Sequence, residues 1–256
     1  MTASASRRPR FARFAMALAV APLALGLAAC NKEGTDAAAS GEPMAKVAPP
    51  AGKAWADVVS ITPEGGYVMG NPNAPIKVIE YGSLSCSHCA EFAEKSQAPL
   101  RDTFVASGRV SFEFRNFVRD AIDLTAATLT QCGTPESFFA LTDQTFAYQK
   151  TMFEKAQAAG QPAYEAAMTQ PENKRGIALA QLTGLTDFFA ARGISKDQAN
   201  ACLADASKAQ KLAKLTADQG EEFNISGTPT FLINGSKFDG NTWEMLKARL
   251  ETLGAR

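Results

Sequence analysis

The 256-residue sequence predicts an α/β protein in which a sheet domain is split by a helical insert. Three observations carry this. Strand-like runs stand at residues 76–82, 109–118 and 230–238. The hundred residues between the second and third are helical in texture. The last strands are followed by one more helical segment, so strand and helix patterns occupy both ends.

Residues 1–29 read as an export signal. Arg7, Arg8, Arg10 and Arg13 form a positive start, and the uncharged run from Phe14 to Ala29 is short for a membrane span but suits a secretory core. The "SRRPRF" stretch carries Arg10 where a twin-arginine signal wants an apolar residue, so the general secretory route is favoured. Removing these residues takes away four arginines and no acid, leaving 22 basic against 26 acidic side chains and a formal charge of −4. That balance argues against a nucleic-acid partner. Residues 30–54 are rich in Ala, Gly, Pro and Lys with almost nothing bulky, and read as a flexible tether.

A folded region is expected from Trp55, giving a first part over 55–119, an insert over 120–220 and a second part over 221–256. "PEGGYVMGNPNAP" supplies turn residues before the first strand, "IKVIEYG", which is β-branched and aromatic after Pro75. Ser85 is the expected cap of a helix from Cys86 to about Ala98. In "RVSFEFRNFV" Val110, Phe112 and Phe114 alternate with more polar positions, as a strand requires. Gly133, Pro135, Gly160, Pro162, Pro171, Gly184 and Gly193 punctuate the following region into an expected four to six helices. The aromatic stripe in "FFALTDQTFAYQKTMF" has the spacing of a buried helix face. A strand over Thr230–Ile233, an Asn234-Gly235 turn and a return strand over Ser236–Phe238 read as a tight hairpin. The last helix has Asn241 as its expected cap.

The chemistry concentrates in "CSHC". Cys86 falls at a helix start, where unpaired N–H groups and the helix dipole favour thiolate over thiol, and Cys89 lies one turn further on the same face. The pair can therefore close a short disulfide with an exposed attacking sulfur and a sheltered resolving one. His88, the sequence's single histidine, adds a donor and, when protonated, a positive charge. Zinc would want four ligands, and Cys132 and Cys202 stand isolated. A structural bridge spanning so short a loop would constrain little of the unfolded chain. Two thiolates can hold Cu(I), and a client-binding module without turnover is a further alternative. Cys132 and Cys202 lie in helical sequence without charged redox neighbours, and are expected to form a structural disulfide inside the insert.

The residues around the pair resemble the DsbA-type branch of the thioredoxin superfamily, the envelope thiol:disulfide oxidoreductases, in a lipoprotein form. "VIEYGSLSCSHC" has that family's strand, the acidic Glu80 six positions before the first cysteine, and the histidine before the second. "GTPTF" resembles the loop in which a cis-proline, here Pro229, faces the active disulfide beside Thr228 and receives an extended substrate chain. "LAAC" resembles a lipobox, which implies acylation of Cys30 and anchoring at a membrane in the periplasm or cell envelope. The resemblance covers residues from about Val59 to the C-terminus and implies a thioredoxin-like fold with an inserted helical domain. It implies that Glu80 shuttles a proton to Cys89, that reduced or unfolded secreted proteins are clients, that a quinone-linked membrane partner of DsbB type reoxidises the pair, and that the disulfide itself is the only redox group required. Ser87 stands where the best-known members carry proline, and Thr228 is also seen in isomerase and reductase branches.

Overall fold

The computed structural model describes residues 41–256. The expected signal peptide, Cys30 and the first part of the expected tether lie outside the described residues. The sheet has six strands, β1 (Val59–Ile61), β2 (Tyr67–Gly70), β3 (Ile76–Gly82), β4 (Val110–Asn116), β5 (Thr230–Ile233) and β6 (Ser236–Phe238), in the order β1-β2-β4-β3-β5-β6. β3 runs parallel to β4 and antiparallel to β5. The parallel pair needs a crossover on the sheet face, which α1 (Ser87–Pro99) supplies together with a π-helical turn over Leu100–Val105.

β2 falls in the stretch where turns were expected, and β1 just before it, where no strand was expected. β1 and β2 are three and four residues long, too short to show alternation; β2 exists because Tyr67 and Met69 pair with Phe114 and Phe112 of β4, and β1 because it pairs with β2. Cys86, not Ser85, is the N-cap of α1, since the turn closed by Cys86 N–H on the Ser83 carbonyl at 3.1 Å places the helix start one residue later. The Asn234-Gly235 pair has φ of 51° and 80°, the left-handed values that a two-residue hairpin between Ile233 and Ser236 requires.

Seven α-helices occupy the insert, more than expected. They are α2 (Ala121–Thr130), α3 (Phe138–Ala159), α4 (Gln161–Met168), α5 (Glu172–Leu182), α6 (Leu185–Ala190), α7 (Lys196–Ala204) and α8 (Ala206–Glu222). The extra break separates α7 from α8 at Asp205, which no glycine or proline marks; its carboxylate accepts from Ser207 N–H at 3.1 Å and restarts the helix. The aromatic stripe is core: Phe138, Leu141, Phe146 and Met152 of α3 are buried. α9 (Trp243–Thr252) is capped by Thr242 rather than Asn241, through the Met245 N–H at 3.3 Å.

Residues 41–54, expected to belong to the tether, lie along the fold. Gly41 and Met44 donate to Thr252 O and Gly254 O at 2.7 and 2.9 Å, and Val47 donates to Ser107 O at 2.9 Å. Buried Arg109 binds Met44 O at 3.1 Å, and Trp55 Nε1 binds Val47 O at 2.8 Å. These are main-chain contacts, so a composition poor in bulky side chains does not reveal them.

Cys132 and Cys202 are bridged, with Cα atoms 6.0 Å apart, tying the end of α2 to α7. Closing a loop of 70 residues removes unfolded-state entropy worth about 4 kcal/mol in the chain-entropy account. Replacing both cysteines by alanine is expected to lower the urea-unfolding free energy by about 2–4 kcal/mol; a loss below about 1 kcal/mol rules out the bridge as a stabilising element.

Candidate active site

The site is built at the carboxyl end of β3. Val78 and Ile76 fill the core, while Glu80 is drawn inside with them at 3% exposure. Gly82 lets the strand pass close to its neighbours: a Cβ there would strike the Phe114 ring and approach Glu80 Oε1 to 2.9 Å. The chain then turns through Ser83–Ser85 and enters α1 with Cys86 as its cap, so the Cys86 sulfur sits among the free N–H groups of the first turn. Phe92, one turn beyond Cys89, anchors the helix on Phe231 of β5 with ring centroids 4.6 Å apart.

The two cysteines are unbridged and both buried, Cys86 at 3% and Cys89 at 0% exposure, so the expected exposed sulfur at Cys86 is not found: the loop before β5 covers it, and the two differ in their hydrogen bonds and ionisation. Cys86 is lowered to about 5, chiefly by the hydrogen bond donated by the Cys89 thiol; burial opposes this, and Thr228 and the N–H groups of Cys89 and His88 add to it. As a thiol, Cys86 Sγ donates to Thr228 O at 3.2 Å. Thr228 Oγ1 is buried without another partner and is free to donate to the thiolate. Cys89 is 0% exposed and its thiol is held far up, first by burial, then by its bond to Cys86 and the charge of Glu80. One sulfur is thus an anion and the other its proton-bearing neighbour.

His88 departs from expectation. Its imidazole is 75% exposed and points to Glu91, with Nδ1 and Oε2 4.0 Å apart, and it is the backbone N–H that serves the sulfur. A side chain at the second position of a helix projects outward from the axis, so the tetrapeptide places the ring in solvent. Thr228-Pro229 is cis and precedes β5, facing Cys86 through the Thr228 carbonyl.

Glu80 is raised well above the ordinary carboxylate range by burial first, then by the charges of Asp143 and Cys86. Its Oε1 has no protein partner. It lines a cleft of about 490 Å³ between α1 and α3, with Gln97, Phe114, Asp143 and Phe146. Asp143 is raised to about 6 by burial, against the hydrogen bond from Gln97 Nε2 at 2.6 Å. Asp143 carries no local sequence signal; it reaches the site because α3 packs against α1.

This geometry of strand, capped helix, unequal cysteines and opposing cis-proline is accompanied by a match of residues 62–252 to the family model described as Thioredoxin. The chain belongs to the thioredoxin family. Within that family it is similar to a protein-disulfide isomerase from Novosphingobium aromaticivorans, at 33% identity and a TM-score of 0.68, covering 72% of this chain and 95% of that one. The fold is shared with alpha-DsbA1 of Wolbachia pipientis, at 23% identity and a TM-score of 0.58, over 73% of this chain and 89% of the other. A Rickettsia bellii protein named as a protein-disulfide oxidoreductase is 22% identical over 189 residues, 73% of this chain. The chain spans 64% of that relative's length. The helical insert of this thioredoxin fold runs from Ala121 to Glu222 and packs α3 over the active-site helix. Among the described residues no helix is long and apolar enough to cross a membrane.

Proposed function

We propose that this protein is a thiol:disulfide oxidoreductase that introduces disulfides into exported proteins by exchange through Cys86 and Cys89. The observation that carries this reading is the inequality of the two sulfurs, one at the helix start among donors and one sealed beneath it. A client thiolate attacks Cys86 Sγ of the oxidised pair, the Cys86–Cys89 bond breaks, and Cys89 leaves and takes up a proton. A second client thiolate then attacks the client sulfur of the mixed disulfide and expels Cys86 as the stabilised anion. A good leaving thiolate drives the exchange towards client oxidation. The disulfide is the redox group, and Thr228-Pro229 presents backbone to an extended client segment.

Glu80 serves the proton of Cys89. In the mixed disulfide the Cys86 charge is gone, which removes one of the influences holding the Glu80 proton on, so Glu80 ionises more readily when a base is needed. The cleft past Asp143 leads that proton to solvent. Glu80→Gln is expected to slow the steps that protonate or deprotonate Cys89 about 10²-fold while Cys86 keeps its acidity. Rapid-quench analysis of a mixed disulfide with a model peptide reads this; an unchanged lifetime removes Glu80 from the proton path.

The deciding experiment equilibrates the pair with glutathione. A potential well above the roughly −270 mV of thioredoxin supports the oxidant, and one at or below it favours a reductase. The name of the Novosphingobium relative supports an isomerase as the second reading. An isomerase works with Cys86 free, so rapid alkylation of whole cells would find the pair reduced. Copper handling has less support: Cu(I) wants two thiolates, and Cys89 is buried and held as a thiol. The export signal and Cys30 support a lipid-anchored envelope location, where reduced secreted proteins are clients and a quinone-linked partner of DsbB type completes the cycle.

A further inference from the structure

The redox cysteine is only as well placed as the four residues that deliver it. β3 ends at Gly82 and α1 begins at Ser87, so the main-chain groups of Ser83–Cys86 lie outside both regular elements. Leu84 is 0% exposed, and its peptide must find partners away from water. It finds them on the insert. Asp123, in the first turn of α2, accepts from Leu84 N–H through Oδ1 at 2.8 Å and from Ser83 Oγ through Oδ2 at 2.6 Å. The same Oδ2 accepts from Arg119 N–H at 2.9 Å. Gln149 of α3 donates through Nε2 to Leu84 O at 2.8 Å and to Cys86 O at 3.0 Å.

Both side chains are themselves inside the protein, Asp123 at 0% and Gln149 at 8% exposure. Burial raises Asp123 to about 7 even though Ser83, Arg119 and Leu84 all donate to it. The cost of burying that carboxyl is offset by the donors it satisfies, because an apolar side chain there would leave the Leu84 N–H and the Ser83 hydroxyl unpartnered away from water. What an apolar side chain cannot do is hold a peptide N–H in one place.

We propose that Asp123 and Gln149 are positioning residues, a two-sided clamp through which the helical insert holds the Leu84 peptide and thereby fixes Cys86 Sγ against Thr228 and the first-turn amides of α1. The inference rests on the assignment of Cys86 as the reactive sulfur and goes beyond it by making the insert part of the redox centre. It has a sign that a purely electrostatic role lacks. Removing a negative charge near Cys86 would by itself make the thiol more acidic. Removing the clamp lets the sulfur drift from its donors and makes it less acidic.

The test titrates the thiolate absorbance of Cys86 in the reduced full-length protein and in Asp123→Asn and Gln149→Leu, with near-ultraviolet circular dichroism confirming the native fold. In each variant the acid constant of Cys86 is expected to fall about threefold or more, the scale of one or two lost hydrogen bonds. An acid constant that is unchanged or raised in folded Gln149→Leu, which alters no charge, overturns the proposal; should Asp123→Asn fail to fold, Gln149→Leu decides alone. A third measurement needs no variant: the Leu84 amide of the parent is expected to exchange as slowly as amides of β3, and fast exchange overturns the clamp. If the parent itself titrates as an ordinary thiol, the oxidant assignment fails while the Leu84 amide still reports on the clamp.

Discussion

Cys86→Ser is expected to abolish disulfide transfer to a reduced client, a loss of at least about two orders of magnitude, whereas Cys89→Ala traps clients as mixed disulfides on Cys86. The asymmetry follows from ionisation, since both sulfurs are buried and Cys86 alone is held as an anion. Cys89 is sealed from solvent and held as a thiol, so with Cys86 gone it offers a client neither an exposed sulfur nor a nucleophile. With Cys89 gone, the Cys86 thiolate can still attack a client disulfide, but the neighbouring thiol that would expel the client by re-forming the Cys86–Cys89 bond is absent, so the adduct persists until another thiol reaches it. Non-reducing electrophoresis of envelope extracts checks both variants. Reductant-sensitive adducts should collect on Cys89→Ala and be missing from Cys86→Ser. Adducts of equal abundance on the two variants, or on neither, would remove the division of labour between the sulfurs.

The second large effect is on pH dependence. A thiol ionising near 5 is about 99% thiolate at pH 7, against roughly 1–3% for an ordinary cysteine. The alkylation rate of Cys86 in the reduced protein should therefore be flat from pH 7 to 9, where an ordinary thiol gains steeply, and should fall about tenfold per unit below 5. Stability follows the same group. Cys86 has a folded-state value below its unfolded one, so its contribution to the reduced form is greatest above the unfolded value and is lost as pH falls to about 5. Cys89 is shifted the other way and stays protonated through this window, contributing no slope until pH approaches the ordinary thiol range. Urea unfolding of reduced and oxidised protein at pH 5 and pH 8 measures the difference: the advantage of the reduced form should be larger at pH 8. An advantage independent of pH means that Cys86 is not held as an anion, and the oxidant reading goes with it.

Asp123 and Asp143 act in the opposite sense in both redox forms. Their folded-state values, about 7 and about 6, lie above those of an exposed aspartate, so the folded protein holds their protons more tightly and their effect on stability becomes less favourable as pH rises from about 4 to 7. Comparing reduced with oxidised protein at each pH removes this shared background and leaves the cysteines together with Glu80, whose proton is held in part by the Cys86 charge.

Much of the site is legible in the chain because its determinants are local. The run "IKVIEYG" followed by "CSHC" specifies a strand feeding a helix start, and that alone makes Cys86 and Cys89 unequal. "NISGTPTFLING" marks a proline before a strand and a two-residue hairpin, since Asn-Gly at that spacing accepts left-handed backbone. By contrast β2 is a strand by virtue of β4, and β1 by virtue of β2, and both are too short to show a pattern of their own. The break at Asp205 comes from one carboxylate restarting a helix, a contact of two residues that is hard to separate from ordinary polar sequence. His88 shows the limit of the tetrapeptide: the pattern brings a donor near Cys86, but helix geometry turns the ring outward and leaves the task to its backbone.

The amino-acid sequence by itself determined which two cysteines share a strand-to-helix junction, which of them stands at the helix start, and that a helical segment interrupts the sheet domain, because each depends on spacing along one strand, one helix or one turn. Only the tertiary structure decided what surrounds them: Thr228 opposite Cys86, Glu80 over a cleft with Asp143, and Leu84 held between Asp123 and Gln149. These groups come from segments about 40 to 140 residues apart, and no local preference records a meeting enforced by burying a shared core.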